Sequence, residues 1–508
     1  MAICLLVITG CTVAEPGVQA TRSRQNESRN IVIGNQPVDT TPGDTTPGDT
    51  TPDSSPADTT PTVDTTPIPV QEGIIDFGAN KTPRDYDGYL TAAFSDIEAF
   101  WAQQFPAVYG SPFTPLSGGI YAAYPERAEP IPGCGSPDTT YRDIEGNAFY
   151  CVDGDFIAYD DSELLPQLVD QLGQGAVAVV LAHEFGHAVQ ARADETNEAT
   201  ILKEQQADCF AGAWAAHVAR GENDAISFSD DDISGGLIAM IQVRDPLEFG
   251  GQIDANSHGT GFDRVGAFQD GFTGGPERCK TFFTEGRENQ LINIQFDPNE
   301  PTGNLPLVDS NPDPSIGPVD VVTLLPKDLD RYWTAQLATD NLTMTSPALT
   351  LFTPNGGDQP SCDGVARSNF ERNILYCPAS NTIFLDQDWA AQSISDPLLG
   401  DMSIGYLISR GYSEVVQGLL GSKLTDEPRA LLDDCLSGAW IRDDLPPQPE
   451  GRPLYLSAGD LDEAIVTAIV HGDSTSDTNI NGTAFEKVDA FRSGVLGGMP
   501  SCQGRIPS

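Results

Sequence analysis

The residues best suited to chemistry stand together at His183-Glu184-Phe185-Gly186-His187. Residues four apart are neighbours on one helical face, so the two imidazoles can grip a single divalent metal ion. Glu184, one step round, can reach a water on that ion and act as general base in metal-assisted hydrolysis. A catalytic zinc site takes three protein ligands and keeps one position open for water. Glu204, 17 residues past His187, is the expected third ligand, and Asp208 follows one turn later on the same face. From there Asp208 can accept a hydrogen bond from a ligand imidazole and hold its ring. His217 falls about 220° round the helix from Glu204, at roughly 100° per residue, and is left out of the site. The competing readings are a polar helix face with satisfied histidines for His183 and His187, and a solvated face for Glu204 and Asp208.

Such a site needs two adjoining helices. Ala176 to Arg192 is apolar and small, with Val177, Val180, Leu181, Ala188 and Val189 at helical spacing. Asn197 to Arg220 reads as the second helix, ended by Gly221. Upstream, Phe156 to Tyr159 is a short strand between Asp153-Gly154-Asp155 and Asp160-Asp161. An extended substrate is expected to pair with its edge. The coarse class is α+β.

The pattern returns further along the chain. Asn147 to Cys151 and Phe156 to Asp160 match Asn373 to Cys377 and Thr382 to Asp386. Ala207 to Trp214 matches Asp433 to Trp440, and an early Asp96 to Trp101 matches Asp328 to Trp333. His258-Gly259-Thr260 matches Asn481-Gly482-Thr483, each opening 21 residues before a cysteine. Shared order and spacing over about 180 residues mean two tandem copies. The second copy lacks the chemistry. Arg410 falls at His183, Gly411 at Glu184, Glu414 at His187 and Ala430 at Glu204. His258 is lost in step, as Asn481, which points to a role as donor to a developing oxyanion. A structural histidine in a His-Gly-Thr turn is the alternative. Asp208 persists as Asp434, so part of its value is structural.

Beyond Cys4 and Cys11 each copy carries four cysteines: Cys134, Cys151, Cys209 and Cys279, then Cys362, Cys377, Cys435 and Cys502. An even set in an exported chain reads as disulfides. Three pairings are open per copy, and the favoured one is Cys134–Cys151 with Cys209–Cys279. A thiolate zinc site is the other possibility, although no Cys-x-x-Cys knuckle exists.

The 508 residues carry 74 acidic and 27 basic side chains, a formal charge of −47. That balance repels nucleic acid and anionic head groups, so no nucleic-acid partner is expected. It serves solubility, or attraction for cationic substrates. At the start, an apolar run enters Ile8-Thr9-Gly10-Cys11, the pattern cleaved before a lipid-modified bacterial cysteine. A cleaved secretory signal is the alternative. Asp-Thr-Thr-Pro units from about Asp39 to Pro67 form an extended stalk with little apolar surface to bury. The expected organisation is a signal peptide over 1–11, a stalk over 12–72, a metal-site domain over 73–296, a linker over 297–318 and a degenerate domain over 319–508. The chain is expected to be exported and held to the outer face of the membrane by lipid on Cys11.

Taken together, these residues resemble the neutral zinc metallopeptidases of bacteria. The likeness rests on Asn147 to Cys151, His183 to Gln190, Gln206 to Gly212, and His258-Gly259-Thr260 with Arg264-Val265 and Phe268. It covers about Asp87 to Phe283 and, more weakly, the second half. It implies a zincin-like fold and a membrane-associated location. The resulting expectation is a zinc peptidase acting on peptide or protein substrates. His183, His187 and Glu204 would hold Zn²⁺, Glu184 would act as base and His258 as oxyanion donor, with the second copy inactive. Two other readings are a surface binding lipoprotein with structural zinc, and a zinc amidase acting on cell-wall peptides.

Overall fold

The computed structural model describes residues 70–505, except 136, 196–199, 222–224, 243–258, 285–286, 288–290, 293–303, 358, 447–451, 458 and 471–481. The signal, the stalk up to residue 69, His258 and Asn481 lie outside the described residues.

The N-terminal half runs through strand β1 (Ile75–Asp76), helix α1 (Asp87–Tyr109), β2 (Gly119–Ala123), β3 (Ile131–Pro132), β4 (Asp138–Thr139) and the short α2 (Tyr141–Ile144). Strands β5 (Ala148–Cys151) and β6 (Phe156–Asp160) follow, then helices α3 (Leu164–Ala193), α4 (Thr200–Ala219), α5 (Asp230–Gln242) and α6 (Gly261–Lys280). The main sheet has the order β1-β2-β6-β5, with β6 parallel to β2 and antiparallel to β5. Both edges of β6 are therefore taken, which corrects the expectation that it offers an edge to substrate. Its five residues are all buried. A run without polar alternation is what a strand covered on both faces requires. The edge strand beside α3 is β5.

Helix α3 is two segments broken at Gly173, whose φ of 85° only glycine adopts freely. The second segment carries the expected apolar face, and Val177, Val180, Leu181, Ala188 and Val189 are all buried. By length and composition α3 could cross a membrane, yet 56 % of its most apolar window is buried inside the protein. Its length serves the core, where it packs on α1, α4 and α5.

The C-terminal half comprises α7 (Val321–Ala338), β7 (Ala348–Phe352), β8 (Ile374–Cys377), β9 (Thr382–Asp386), α8 (Gln387–Ile394), α9 (Gly400–Leu419), α10 (Asp426–Asp444), α11 (Asp460–Val470), α12 (Ala484–Gly497) and α13 (Met499–Gln503). Leu305 and Leu307, in the stretch expected to be a linker, pack against the core. The sheet order β7-β9-β8, parallel then antiparallel, follows that of β2-β6-β5. Buried Trp214 donates its indole N–H to Asp96 at 2.7 Å, and Trp440 donates to Asp328 at 2.9 Å. Helices α4 and α6 cross on glycines: a Cβ on Gly212 would strike the Phe268 carbonyl, and one on Gly271 the Cys209 carbonyl. Helices α10 and α12 cross alike, with Gly438 on the Phe491 carbonyl and Gly494 on that of Cys435. The cysteines pair Cys134–Cys151, Cys209–Cys279, Cys362–Cys377 and Cys435–Cys502, the favoured scheme in both halves.

One hydrophobic core runs through both halves. Where they meet, the Asp462 carboxylate on α11 accepts the backbone N–H groups of Gly261 at 3.3 Å and Phe262 at 2.8 Å, at the start of α6. Further along α6 the ring of Phe272 meets that of Phe485, tilted by 38° with centroids 4.7 Å apart.

Candidate metal centre

Helix α3 delivers His183, Glu184 and His187, and α4 delivers Glu204 and Asp208. The glycine inside the motif sets their spacing. A Cβ on Gly186 would come within 3.0–3.2 Å of Ala207 atoms on α4, so glycine lets the two helices close. His183 Nε2 lies 3.2 Å from Glu204 Oε2, and His187 Nε2 lies 3.5 Å from Glu204 Oε1. One donor atom from each of His183, His187 and Glu204 falls within 4.8 Å of the other two.

The unpaired atoms decide what this cluster suits. His183 Nε2 and Glu204 Oε2 are buried, and neither has a hydrogen-bond partner. The 3.2 Å approach between them lacks hydrogen-bond geometry. Leaving two buried polar atoms unsatisfied face to face is costly. A divalent cation shared between them removes that cost, and two imidazoles with one carboxylate are a donor set that zinc favours. The residues fit the ion.

Both imidazoles are held from behind. His183 Nδ1 sits 2.7 Å from Asp208 Oδ1, and an ionised acceptor there keeps the proton on Nδ1 and turns the Nε2 lone pair to the site. Asp208 is gripped in turn by Arg264 of α6, through Nε at 2.9 Å and Nη2 at 2.8 Å. Burial would raise the Asp208 pKa, but Arg264 and His183 hold it below the usual carboxylate range. Burial would lower that of His183, but Asp208 and Glu204 bring it up to about 10. Burial likewise opposes ionisation of Glu204, and His187 with His183 overcomes it, leaving that carboxyl well below its ordinary value. His187 Nδ1 meets Gln190 Oε1 at 2.9 Å, and Gln190 Nε2 donates to the Lys203 carbonyl at 2.7 Å.

Glu184 is not a ligand by geometry. Its Oε2 accepts the backbone N–H of Tyr150 on β5 at 3.0 Å, and its Oε1 is buried without a partner. Burial pushes its pKa up. A carboxylate anchored by one oxygen with the other free is arranged to move a proton.

Four of the expected residues thus converge with Asp208 behind them, while His258 lies outside the described residues. His217 is buried 3.4 Å from Asp96, beside the Trp214 hydrogen bond, in keeping with its exclusion. Three participants escaped sequence reasoning: Arg264, Gln190 and the Tyr150 N–H. Arg264 and Gln190 stand within the motif segments, but nothing in the spacing links Arg264 to an aspartate 56 residues earlier. In the C-terminal half, Arg410 and the Tyr406 hydroxyl both hold Asp434, and Glu414 pairs with Arg429 at 2.9 Å.

The family model described as "Putative neutral zinc metallopeptidase" matches residues 77–282. A Mycobacterium tuberculosis relative, "Uncharacterized protein Rv2575", is 30 % identical in an alignment 219 residues long that covers 38 % of this chain and 69 % of that protein. The chain belongs to this family. The Escherichia coli K12 "Uncharacterized protein YpfJ" is 28 % identical in an alignment 218 residues long that covers 38 % of this chain and 70 % of that relative. No solved structure matches. In this neutral zinc metallopeptidase family member, the matched span contains His183, Glu184, His187, Glu204, Asp208 and Arg264 together. The match leaves the C-terminal half unassigned.

Proposed function

We propose that the chain is a zinc-dependent peptidase whose chemistry resides in the N-terminal half. The observation that carries this reading is the pair of buried atoms without a hydrogen-bond partner, His183 Nε2 and Glu204 Oε2, 3.2 Å apart, with Oε1 of Glu184, the next residue after His183, also buried without a partner. Bound by His183, His187 and Glu204, zinc would supply a water acidified towards neutrality and polarise the scissile carbonyl. Glu184 Oε1 would accept a proton from the attacking water as the new C–O bond forms. It then gives the proton to the amide nitrogen as the C–N bond breaks. The Tyr150 N–H holds Oε2 so that Oε1 keeps its aim. His258 is assigned as a donor to the oxyanion.

The same reading makes the C-terminal half a degenerate zincin-like copy. Its strand order, its Trp440–Asp328 bond and its glycine crossing support the duplication, and the replacement of all three ligands and the base supports its inactivity. It also makes Cys11 a lipid anchor at the outer cell surface, supported by the Ile8-Thr9-Gly10-Cys11 pattern. Metabolic labelling with a fatty acid should mark the chain and fail with Cys11→Ser.

The central test compares wild type and Glu184→Gln for bound zinc and for cleavage of a broad peptide library. Zinc should remain in both, and cleavage should vanish in the variant. Undiminished cleavage by Glu184→Gln, or a wild type that takes up no zinc, would overturn the reading.

A further inference from the structure

A second cluster of donor atoms lies in the C-terminal half, away from the positions equivalent to the zinc ligands. Asp401 stands in the first turn of α9, and Asp460 and Glu463 stand in the first turn of α11. One oxygen from each lies within 4.8 Å of the other two. Asp401 is 8 % exposed and Asp460 4 %, while Glu463 is half-buried. Carboxylates crowded together in a protein interior repel strongly, so such a group either takes up protons or gathers round a positive charge. Among the described residues, no lysine, arginine or histidine acts on any of the three.

Hydrogen bonds satisfy only part of the cluster. Leu305 N–H donates to Asp401 Oδ2 at 2.7 Å, Ser457 donates through its N–H and hydroxyl to Asp460, and Met402 N–H donates to Glu463 Oε2 at 3.1 Å. Asp401 Oδ1 is left buried with no hydrogen-bond partner. Burial, reinforced by the neighbouring carboxylates, pushes Asp460 up to about 8 and Glu463 up to about 9. The backbone is shaped around the group: Gly400 has φ +55°, and a Cβ there would collide with the Glu463 carboxylate.

The N-terminal half serves as an internal comparison. Gly173, also at positive φ, stands where Gly400 does, and Gln174 stands at Asp401. Ser229 N–H caps onto Asp232 as Ser457 N–H caps onto Asp460, which places Gly235 at Glu463. Asp401 and Glu463 thus belong to the C-terminal half alone, whereas Asp460 has its counterpart in Asp232. An all-oxygen donor set selects a hard cation. The 4.8 Å limit on the separations is about twice a calcium–oxygen bond of about 2.4 Å, so one ion can reach all three. The exposed side of Glu463 leaves room for water to complete the coordination.

We propose that Asp401, Asp460 and Glu463 form a binding site for one hard divalent cation, calcium by preference, that ties α9 to α11. The site is structural. Helix α11 also presents Asp462 to the start of α6, so the ion would firm the contact between the halves.

The test uses the full chain, stripped of metal, reloaded with stoichiometric zinc and kept in physiological salt to suppress loose binding to the acidic surface. Calcium chloride is titrated by calorimetry and by thermal melting, with magnesium chloride in parallel. Wild type should show one saturable calcium site and a melting temperature raised by several degrees. In Asp401→Asn and Glu463→Gln the calcium affinity should fall at least about tenfold, with zinc content unchanged. Hydrogen exchange on wild type alone gives a second readout, in which calcium should protect amides at the starts of α9 and α11. Absent saturable binding, variants that bind calcium like wild type, a preference for magnesium, or no protection at those two helix starts would each overturn the proposal.

Discussion

A ligand imidazole must give up a proton before it binds a cation, and here the proton is held firmly. Burial lowers the His183 pKa, yet Asp208 and Glu204 outweigh it and hold the group at about 10, above its ordinary 6.5. Zinc affinity should therefore climb with pH until about 10, with a proton released on binding. Calorimetry in buffers of different ionisation heat will register that release. The linkage sign for the metal-free fold is the reverse. Stability from His183 is complete below about 6.5 and lost as pH rises through about 10, so metal-free melting temperatures should fall over that window and His183→Gln should flatten the trend. Removing the support behind a ligand should matter almost as much as removing the ligand: Asp208→Asn should weaken zinc binding by about 10–100-fold, read by competition with a chelating dye. The convergence of His183, His187 and Glu204 was legible because the helical repeat brings residues four apart onto one side, where an adjoining helix can meet them. Arg264 was not, since its bond to Asp208 depends on where α6 lies, and no periodicity encodes that.

Helix crossings set the distances that these side chains exploit. Gly212 and Gly271 let α4 and α6 touch backbone to backbone, and Cys209–Cys279 links the same two helices. Gly212→Ala should force them apart and cost about 1–3 kcal/mol, seen as a lower denaturant midpoint. Gly438→Ala should cost a similar amount in the C-terminal half, with zinc content unaffected. The two helices that carry the candidate site could be read from apolar spacing, and the favoured disulfide pairing, one of three open to each half, from cysteine order. The place of β6 could not, because a four-residue apolar run fits an edge or an interior strand equally, and only the pairing with β2 and β5 decides. Its lack of polar alternation was the signal available, and it pointed to the interior.

Across the whole molecule the likeness of the two halves, in strand order and helix crossing, was legible in order and spacing, whereas the junction between them had no sequence mark. That junction depends on Asp462, which is 4 % exposed and accepts two N–H groups at the head of α6. Asp462→Ala should leave those groups unpaired and lower stability by about 1–3 kcal/mol. It should also reduce zinc affinity, because α6 carries Arg264, and a combined melting and metal-binding series will separate the two effects. There is an evolutionary side to this arrangement. On the proposed reading, a copy without its own ligands that finishes a neighbour's helix would be under selection for where it sits, and truncating the protein after residue 296 should expose an apolar face and strip the cap from the helix that braces the candidate metal centre.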